Sequence, residues 1–493
     1  MTEQTYQLIA IIMYMAAMLF IGWYAFRRTS NLTDYMLGGR SLGPAVTALS
    51  AGASDMSGWL LMGLPGAIYL SGLGEAWIAV GLTIGAYLNW LFVAPRLRAY
   101  TQVSNNSITI PSFLENRLKD TSRLLRVASG IIILVFFTFY VSSGMVAGGK
   151  FFQSSFGLEY HTGLIIVSAV VLAYTLFGGF LAVSYTDFVQ GLIMFLALVL
   201  VPSAGIIITG GFAETAASIR EADPALFNFV SGVSVAGIIS SLAWGLGYFG
   251  QPHIIVRFMA IKSVKETKSA RRIGIGWMLL SLMGAIATAL VGIAYFQQNS
   301  TELADAETVF IVLGQIIFHP LIAGIMLAAV LAAIMSTISS QLIVTSSALI
   351  EDLYKAVFKS NASDRQYVFL GRAAVLFVTI IAMVLAWPNK ESVLKLVSFA
   401  WAGFGGAFGP IILLSLYWRK LTAKGALFGM VAGAITVGVW GNIKFLSGAL
   451  YEIVPGFIIC LLVAYAVSLA TYRRHEVIEG EYDETMKLLE KER

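Results

Sequence analysis

The chain has 493 residues, of which 58% are hydrophobic and only 12% charged, and its mean hydropathy is +0.81. This composition excludes an ordinary water-soluble domain and is typical of a membrane protein. The net charge of +5 does not indicate nucleic-acid binding, because the basic residues follow membrane topology. A single cysteine, Cys460, excludes a disulfide framework and a cysteine-built metal site, and the four histidines show no metal-ligand spacing.

Apolar stretches long enough to cross a bilayer recur along the whole chain. The sequence predicts thirteen spans, with approximate limits 6–26, 43–70, 74–95, 125–149, 162–181, 187–210, 228–250, 273–296, 316–349, 368–387, 393–418, 424–443 and 449–472. The first span lacks the basic start and the Ala-x-Ala site of a signal peptide, so we expect it to be retained.

Lysine and arginine are unevenly divided between the two sides of the predicted membrane. If the N-terminus lies outside, only five of the 32 fall on outer segments: Lys150, Arg220, Lys390, Lys395 and Lys444. The remaining 27 lie on inner loops and on the tail that begins at Arg473. The positive-inside rule therefore predicts an outer N-terminus and an inner C-terminus, with a short, partly helical cytoplasmic tail.

The stretch SAGASDMSGW, residues 50–59, interrupts the second predicted span. Seven of the nine residues from Ser50 to Gly58 are Gly, Ala or Ser, and one of the other two is Asp55. A packed, continuous helix would explain the small residues but not the carboxylate. Unwound backbone is stable at this depth only where it lines a protein cavity or water. An ionisable residue within the membrane indicates a functional site.

A second interruption follows five spans later, in SSLAWGLGYFGQPHI, residues 240–254. Three glycines and Pro252 weaken the helix here, and Trp244 and Tyr248 lie four residues apart on one face. Two interrupted helices at matching positions of two five-helix blocks are typical of a secondary transporter built from inverted repeats. The sequence therefore predicts a transporter whose binding site lies between the two interruptions.

The stretch 331–355 carries a helix face rich in hydroxyl groups. Ala333, Thr337 and Ser340 fall at positions i, i+4 and i+7, and Ser336 lies beside them. One interpretation is that these hydroxyls bond back to their own helix. The other is that they complete an all-oxygen site for a hard cation, together with carbonyl groups of an unwound helix. Sodium suits such a site, which offers no nitrogen or sulfur ligand for a transition metal.

Three stretches, residues 38–67, 244–260 and 398–410, resemble the sodium:solute symporter family, and the resemblance runs over nearly the whole chain. It implies an all-α integral membrane protein with a LeuT-type five-plus-five inverted-repeat core and about thirteen helices. It also implies sodium-coupled uptake of proline by alternating access across a bacterial cytoplasmic membrane. The implied organisation is a first helix and loop (1–42), two repeats (43–210 and 211–423), two accessory helices (424–472) and a tail (473–493).

The family's sodium site, carried over residue by residue, consists of backbone carbonyls and hydroxyls. The resemblance implies carbonyl ligands from Ala53, Met56 and Ala333 and hydroxyl ligands from Ser336 and Thr337. It also makes Asp55 essential to sodium coupling, either by touching the ion or by holding the unwound loop. Sodium is then the coupling ion, and no other cofactor is expected.

Proline needs a donor for its carboxylate, an acceptor or π face for its ammonium group, and an apolar slot for its ring. Trp59, Tyr140, Trp244 and Tyr248 provide faces for a cation–π contact. Most aromatic residues in a membrane protein are core or interfacial, and Trp244 and Tyr248 stand out because they flank a helix break. By resemblance the site also includes Ser54, Gly63, Pro252 and Ser340.

Two further polar residues have two interpretations each. Arg40 is either a positive-inside anchor or, by resemblance, part of the inner ion pathway. Asp187, with Gln190 three residues on, either caps a helix or has a second role related to the cation.

Other classes of protein fit the sequence less well. An intramembrane enzyme would need a His-Glu-x-x-His or Gly-x-Ser-x-Gly pattern, which the chain lacks. A channel would ordinarily show a filter repeat or pore helix, and a sensor would carry a soluble signalling domain. The nearest alternative is a relative that moves another small solute, such as pantothenate, a sugar or an anion. As partners we expect proline, sodium and membrane lipid, without nucleic acid or an obligate protein.

Overall fold

The computed structural model describes residues 2–28, 32–358, 363–388 and 391–492. Throughout these ranges the regular structure is helical, apart from one isolated parallel bridge between Leu42 and Ile261. The predicted outer residue Lys390 lies outside the described residues.

The α-helices of the first part of the chain are, in order, α1 Glu3–Phe26, α2 Leu32–Leu37, α3 Pro44–Asp55, α4 Leu64–Ser71, α5 Trp77–Leu88, α6 Ala94–Val103, α7 Ile110–Leu118, α8 Leu124–Phe156 and α9 Tyr160–Ile208. Those of the second part are α10 Phe212–Ala222, α11 Val235–Leu242, α12 Pro252–Ala260, α13 Glu266–Gln298, α14 Val309–Ile317, α15 Pro320–Ser347, α16 Lys355–Phe358, α17 Asp364–Ala386 and α18 Val393–Tyr417. The last four are α19 Ala423–Asn442, α20 Lys444–Ala449, α21 Ile453–Thr471 and α22 Glu476–Glu492.

Within the described part of the chain, ten helices are long and apolar enough to cross a membrane. The other three predicted spans, 43–70, 162–181 and 228–250, contain shorter apolar helices, at Trp59–Ser71, Tyr160–Leu176 and Val235–Gly250. The number of crossings and the orientation of the termini remain predictions.

The predicted interruption of the second span is confirmed. Helix α3 ends at Asp55, and Met56 leaves the helical conformation with φ −75° and ψ 71°. A π-helical segment, Trp59–Gly63, then leads into α4. Pro65 in the first turn of α4 has no N–H group and cannot complete the regular hydrogen-bond ladder, which favours the wider turn before it.

The second predicted interruption is also confirmed. After α11 the chain forms a 3₁₀ segment, Ala243–Gly250, and one extended residue, Gln251, precedes α12. Glycine is required here because neighbouring backbones come very close. A Cβ at Gly245 would lie 2.3 Å from the carbonyl oxygen of Gly81, and one at Gly250 would lie 2.3 Å from that of Phe404. The break is therefore wedged between α5 and α18.

Helix α9 differs from the sequence prediction. We expected a loop between spans 162–181 and 187–210, but the chain is helical there, and the kink lies earlier, at Gly179 (φ 60°, ψ −155°). The positive φ explains the position, since glycine alone adopts it without strain. The correction matters for Asp187, which lies well inside the second part of α9 and not at its start.

Helices α3 and α9 pack against each other, and both also pack against α13 and α15. The predicted helical character of the tail is confirmed by α22, which lies against α6. The side chain of Lys119 pairs with Glu481, and that of Arg419 with Asp483 at 2.6 Å. These contacts place the end of the chain beside the end of α7 and the residues that follow α18.

Candidate functional site

The end of α3 meets the hydroxyl-bearing face of α15. The carbonyl oxygen of Ala53 accepts hydrogen bonds from Ser336 Oγ at 2.7 Å and Thr337 Oγ1 at 3.4 Å. The same hydroxyls lie 3.2 and 3.3 Å from the carbonyl oxygen of Ala333. Both hydroxyls therefore bond within α15 and also across to the broken helix α3. Four of the five predicted sodium ligands lie together.

This cluster offers only oxygen atoms. The last carbonyls of a helix lack an intrahelical partner, and the helix dipole places partial negative charge there. Met56, the fifth predicted ligand, is the first residue beyond the helix and is fully buried. Carbonyl and hydroxyl oxygens at a helix C-terminus suit a hard monovalent cation once the hydroxyl hydrogens turn away from it. The donor set therefore fits sodium.

Asp55 connects the two interrupted helices. Its side chain is 1% exposed, and its Oδ2 atom accepts a hydrogen bond from the hydroxyl of Tyr248 in the second break. Its backbone carbonyl accepts from the indole Nε1 of Trp59 at 3.1 Å. Oδ1, in contrast, has no partner in the described part of the protein. The predicted interruptions are thus linked directly through this carboxylate.

Aromatic rings surround Trp244 in the second break. Its ring centroid lies 5.4 Å from that of Tyr451, 6.3 Å from that of Trp401 and 6.4 Å from that of Trp59. Tyr248 meets Trp401 edge to face at 5.1 Å. Three of the four predicted substrate aromatics, Trp59, Trp244 and Tyr248, therefore belong to one cluster.

Sequence reasoning missed Trp401 and Tyr451. Trp401 lies in the stretch 398–410, which was used for the family resemblance and not for the site. Its indole N–H donates to the carbonyl of Trp244 at 2.8 Å, so it also fixes the backbone of the break. Tyr451 follows the short α20, and no motif or helix break in the sequence marks it as a site residue.

Two other predicted substrate residues, Tyr140 and Pro252, make no ring contact with the aromatic cluster among the described residues, although the hydroxyl of Tyr140 lies within electrostatic range of Tyr248 and Tyr451. The ring of Tyr140 on α8 packs edge to face on His253 of α12, with centroids 5.8 Å apart. Pro252 begins α12 and lines a different cavity, together with Thr109 and Asp352.

The last two small residues of the predicted substrate site serve the local backbone. The hydroxyl of Ser54 bonds the carbonyl of Ala51 at 3.0 Å within its own helix. At Gly63 an added Cβ would lie 3.3 Å from the Cβ atom of Leu394, so a side chain here would press on α18.

Asp187 is the centre of a fully buried ion-pair cluster. Its Oδ2 atom lies 2.9 Å from the guanidinium of Arg257, 2.7 Å from Ser50 Oγ and 3.2 Å from Ser340 Oγ. Ser340 and Ser50 also bond Arg257, at 2.6 and 2.8 Å. The capping interpretation of Asp187 is wrong, because the residue lies inside α9.

Ser340, which the resemblance placed beside the substrate, belongs to this ion-pair cluster in the structure. Arg257 was missed, although it lies within the stretch 244–260.

Arg40 is half-buried, and its guanidinium is held by several hydrogen bonds. Its guanidinium donates to Thr101 Oγ1 at 3.3 Å, to the carbonyl of Met259 at 3.0 Å and to the carbonyl of Ser107 at 2.5 Å. It thus joins the start of the first interrupted helix to the end of α12. The bridge between Leu42 and Ile261 continues this link.

Comparison with known proteins identifies the class to which this geometry belongs. Residues 35–433 match the model of the sodium:solute symporter family, and the chain belongs to that family. It is therefore a transporter and not an enzyme, with sodium as coupling ion and multiple passes through the bacterial plasma membrane.

Two relatives and one structure illustrate the match. The chain is 63% identical over 467 residues to the high-affinity proline transporter PutP of Bacillus subtilis, covering 95% of this chain and 98% of that protein. It is 51% identical over 497 residues to sodium/proline symporter 2 of Staphylococcus saprophyticus, covering 99% and 96%. A solved Na⁺-coupled sialic acid symporter superposes with a TM-score of 0.82 at 21% identity, covering 96% and 99%. That likeness confirms the predicted LeuT-type helical fold.

Proposed function

We propose that this chain is a sodium/proline symporter that takes up L-proline by alternating access. The observation that carries the proposal is the meeting of the Ala53 carbonyl with the hydroxyls of Ser336 and Thr337, where α3 is broken. A cation bound there would hold α3 against α15. The high identity to proteins named as proline transporters and sodium/proline symporters supports the solute and the ion.

In this proposal sodium is held by the carbonyls of Ala53, Met56 and Ala333 and by the hydroxyls of Ser336 and Thr337. Binding draws together two helices that otherwise separate as the transporter changes its access. Because the ligands come from both sides of the break, the ion stabilises one arrangement of the helices over another.

Proline is placed between the two breaks, beside Trp59, Trp244 and Tyr248. An ammonium group over the face of a Trp or Tyr gains roughly 0.5–2 kcal/mol when desolvated. Exposed N–H groups at half-helix starts suit the carboxylate. The hydrogen bond from Tyr248 to Asp55 then connects these aromatic residues with α3, whose end binds sodium in this proposal.

Uptake into proteoliposomes tests the proposal. Purified protein is reconstituted without other proteins, and radiolabelled proline is supplied with an inward sodium gradient or with choline on both sides. We expect accumulation only with sodium, and unlabelled proline should compete. Sodium-dependent uptake of pantothenate, glucose or iodide in place of proline would favour the alternative, a symporter of another small solute in the same family.

The remaining organisation is also proposed. Residues 43–210 and 211–423 form the two inverted repeats, flanked by 1–42, by two accessory helices in 424–472 and by the tail 473–493. Exposed apolar side chains along α1 and α17 face membrane lipid. We expect the transporter to work without nucleic acid or an obligate protein partner, and the single-protein reconstitution tests this.

A further inference from the structure

Tyr451 lies outside both proposed repeats, yet its side chain belongs to the aromatic cluster around Trp244. It follows α20, between the accessory helices α19 and α21. Its ring stacks on that of Trp244, with centroids 5.4 Å apart and planes inclined by 28°. Tyr451 is 8% exposed, whereas no residue of the adjoining α20 is buried. The accessory helices therefore insert one aromatic side chain into the substrate region.

Hydrogen bonds from three helices hold Tyr451 in place. Its hydroxyl donates to the carbonyl of Ser398 on α18 at 2.6 Å, and its backbone N–H donates to Ser240 Oγ on α11 at 3.0 Å. The preceding carbonyl, that of Leu450, accepts from the indole of Trp440 on α19 at 2.9 Å. The ring cannot swing away from Trp244 without leaving a buried hydroxyl unpaired.

The accessory helices are a firm support for this ring because they pack very closely on α18. A Cβ on Gly433 of α19 would lie 2.3 Å from the carbonyl oxygen of Gly406. One on Gly405 would lie 2.6 Å from Cδ1 of Ile453, at the start of α21. Small residues let the backbones of membrane helices approach in this way. Such dense packing fixes Tyr451 relative to α18.

Trp244 depends on its neighbours for its orientation. It lies in the 3₁₀ segment Ala243–Gly250, where hydrogen-bond geometry is poorer than in an α-helix. Of its ring contacts with Tyr451, Trp401 and Trp59, the one with Tyr451 is the shortest. Stacked aromatic pairs prefer a defined geometry, so a fixed ring orients the ring packed on it.

We propose that Tyr451 is a positioning residue for the substrate site, where it holds the indole of Trp244 in the orientation that meets the solute. The inference rests on the proposed function in taking Trp244 as part of that site. A side chain that is already ordered loses less conformational entropy when a ligand binds. The accessory helices thereby raise the affinity for the solute, although they belong to neither repeat.

A double-mutant cycle between Tyr451 and Trp244 tests the proposal. Equilibrium binding of radiolabelled L-proline to the purified protein is measured at saturating sodium. Tyr451→Ala should weaken binding about fivefold, as the loss of one stacked aromatic contact would. In the Trp244→Ala background the same change should weaken it by less than about twofold, because residues that act through one another are not additive. An equal loss in both backgrounds, or no loss in the first, would overturn the proposal.

Conservative variants keep the test decisive if Tyr451→Ala does not fold. Tyr451→Phe keeps the stacked ring and loses only the hydrogen bond to Ser398, so it should bind proline within about twofold of the wild type. Tyr451→Leu fills much of the space without a flat ring and should behave as described for Tyr451→Ala. If the Phe and Leu variants bound proline equally, the stacking role would be refuted.

Tyr465→Ala is the matched control. Tyr465 lies on α21 and stacks on Trp418, with centroids 4.9 Å apart and planes inclined by 23°. Its removal deletes the same kind of contact from the same accessory helix, and proline binding should not change. A loss as large as that in Tyr451→Ala would mean that any damage to the accessory helices lowers affinity, which would contradict the proposal.

The wild-type protein separates this inference from the proposed function. If it bound pantothenate, glucose or iodide and not proline, the proposed solute would be wrong. The same cycle would then be measured with that solute, and additive effects of the Tyr451 and Trp244 variants would still overturn the positioning role.

Discussion

Two buried carboxylates of the central helices, Asp55 and Asp187, have very different surroundings. Asp187 is held by a guanidinium, Arg257, and by two hydroxyls, all within 3.2 Å of one carboxylate oxygen. Asp55 has one neutral partner, the hydroxyl of Tyr248, and the second oxygen of each carboxylate has no partner in the described residues. The protein thus supplies a permanent counter-charge to one of them only.

The difference separates a structural role from a coupling role. A buried ion pair with both partners built into the chain fixes helices relative to one another, and its carboxylate already has a permanent counter-charge. A buried carboxylate without a fixed counter-charge gains free energy when a cation arrives. On this comparison we propose that Asp55 carries the coupling function and that Asp187 positions α9 against α3 and α12.

Neutralising the two carboxylates should therefore have different consequences: one variant should lose sodium affinity and the other stability. These are the largest effects we expect. Asp55→Asn should leave the fold intact and raise the sodium concentration for half-maximal uptake by about a hundredfold, or about 3 kcal/mol. Asp187→Asn leaves Arg257 buried and unpaired and should destabilise the protein by about 3–5 kcal/mol. Thermal unfolding in detergent and sodium-dependent uptake distinguish the two.

The double variant Asp187→Leu with Arg257→Met is the control for this comparison. It removes both charges together, so it should recover most of the thermal stability that Asp187→Asn loses. Near-normal sodium dependence in Asp55→Asn would refute the coupling role of that carboxylate.

Removing a hydroxyl from the Ala53 cluster should weaken sodium binding by a smaller factor. Ser336→Ala or Thr337→Ala deletes one of about five ligands and should raise the sodium requirement by about tenfold, since a hydrogen-bonding group facing a charge contributes roughly 1.5–3 kcal/mol. Apparent proline affinity at saturating sodium should change much less. Thr345→Ala, on the same helix, should behave like the wild type. Unchanged sodium dependence in both variants would mean that these hydroxyls only bond to neighbouring carbonyls.

Tyr248 tests whether the sodium and substrate regions are connected. Tyr248→Phe keeps the ring against Trp401 but removes the hydrogen bond to Asp55. We expect the sodium requirement to rise several-fold, by about 1 kcal/mol, with little change in proline affinity at saturating sodium. Tyr248→Ala should weaken both. If Tyr248→Phe and Tyr248→Ala lowered the apparent proline affinity equally, a role of the ring separate from the hydroxyl would be contradicted.

The smallest effect concerns the π face of Trp244. Trp244→Ala should weaken proline binding about tenfold and Trp244→Phe only a few-fold, since the phenyl ring keeps part of a cation–π contact of roughly 0.5–2 kcal/mol. Sodium binding without proline should survive in both. If the two variants bind proline alike, Trp244 serves packing with Trp401 and Tyr451 and not the substrate.

Both helix breaks were predictable because their causes are local. Small residues and Asp55 mark the first, and three glycines with Pro252 mark the second, so sequence alone identifies where the helix weakens. The hydroxyl face of α15 was likewise visible from its spacing. The kink in α9 was misplaced: it lies at Gly179, which has a positive φ. Near Asp187 the helix continues, because Ser184 and Thr186 bond back to carbonyls of α9.

The partners of those polar residues were not predictable, because they come from distant parts of the chain. Arg257 reaches Asp187 across 70 positions, and Tyr248 reaches Asp55 across 193. Tyr451 carries no recognisable motif, and only its stacking on Trp244 draws attention to it. Such contacts depend on helix packing, which periodicity along one helix does not encode.

The response of proline uptake to membrane voltage tests sodium-coupled symport most directly. Proline has no net charge near neutral pH, so its entry with sodium moves positive charge inward. A potential of 100 mV contributes about 2.3 kcal/mol per charge, enough for roughly fiftyfold accumulation. With equal sodium on both sides of a proteoliposome, an inside-negative potassium diffusion potential should drive proline accumulation. Uptake that does not respond to this potential would contradict electrogenic sodium/proline symport.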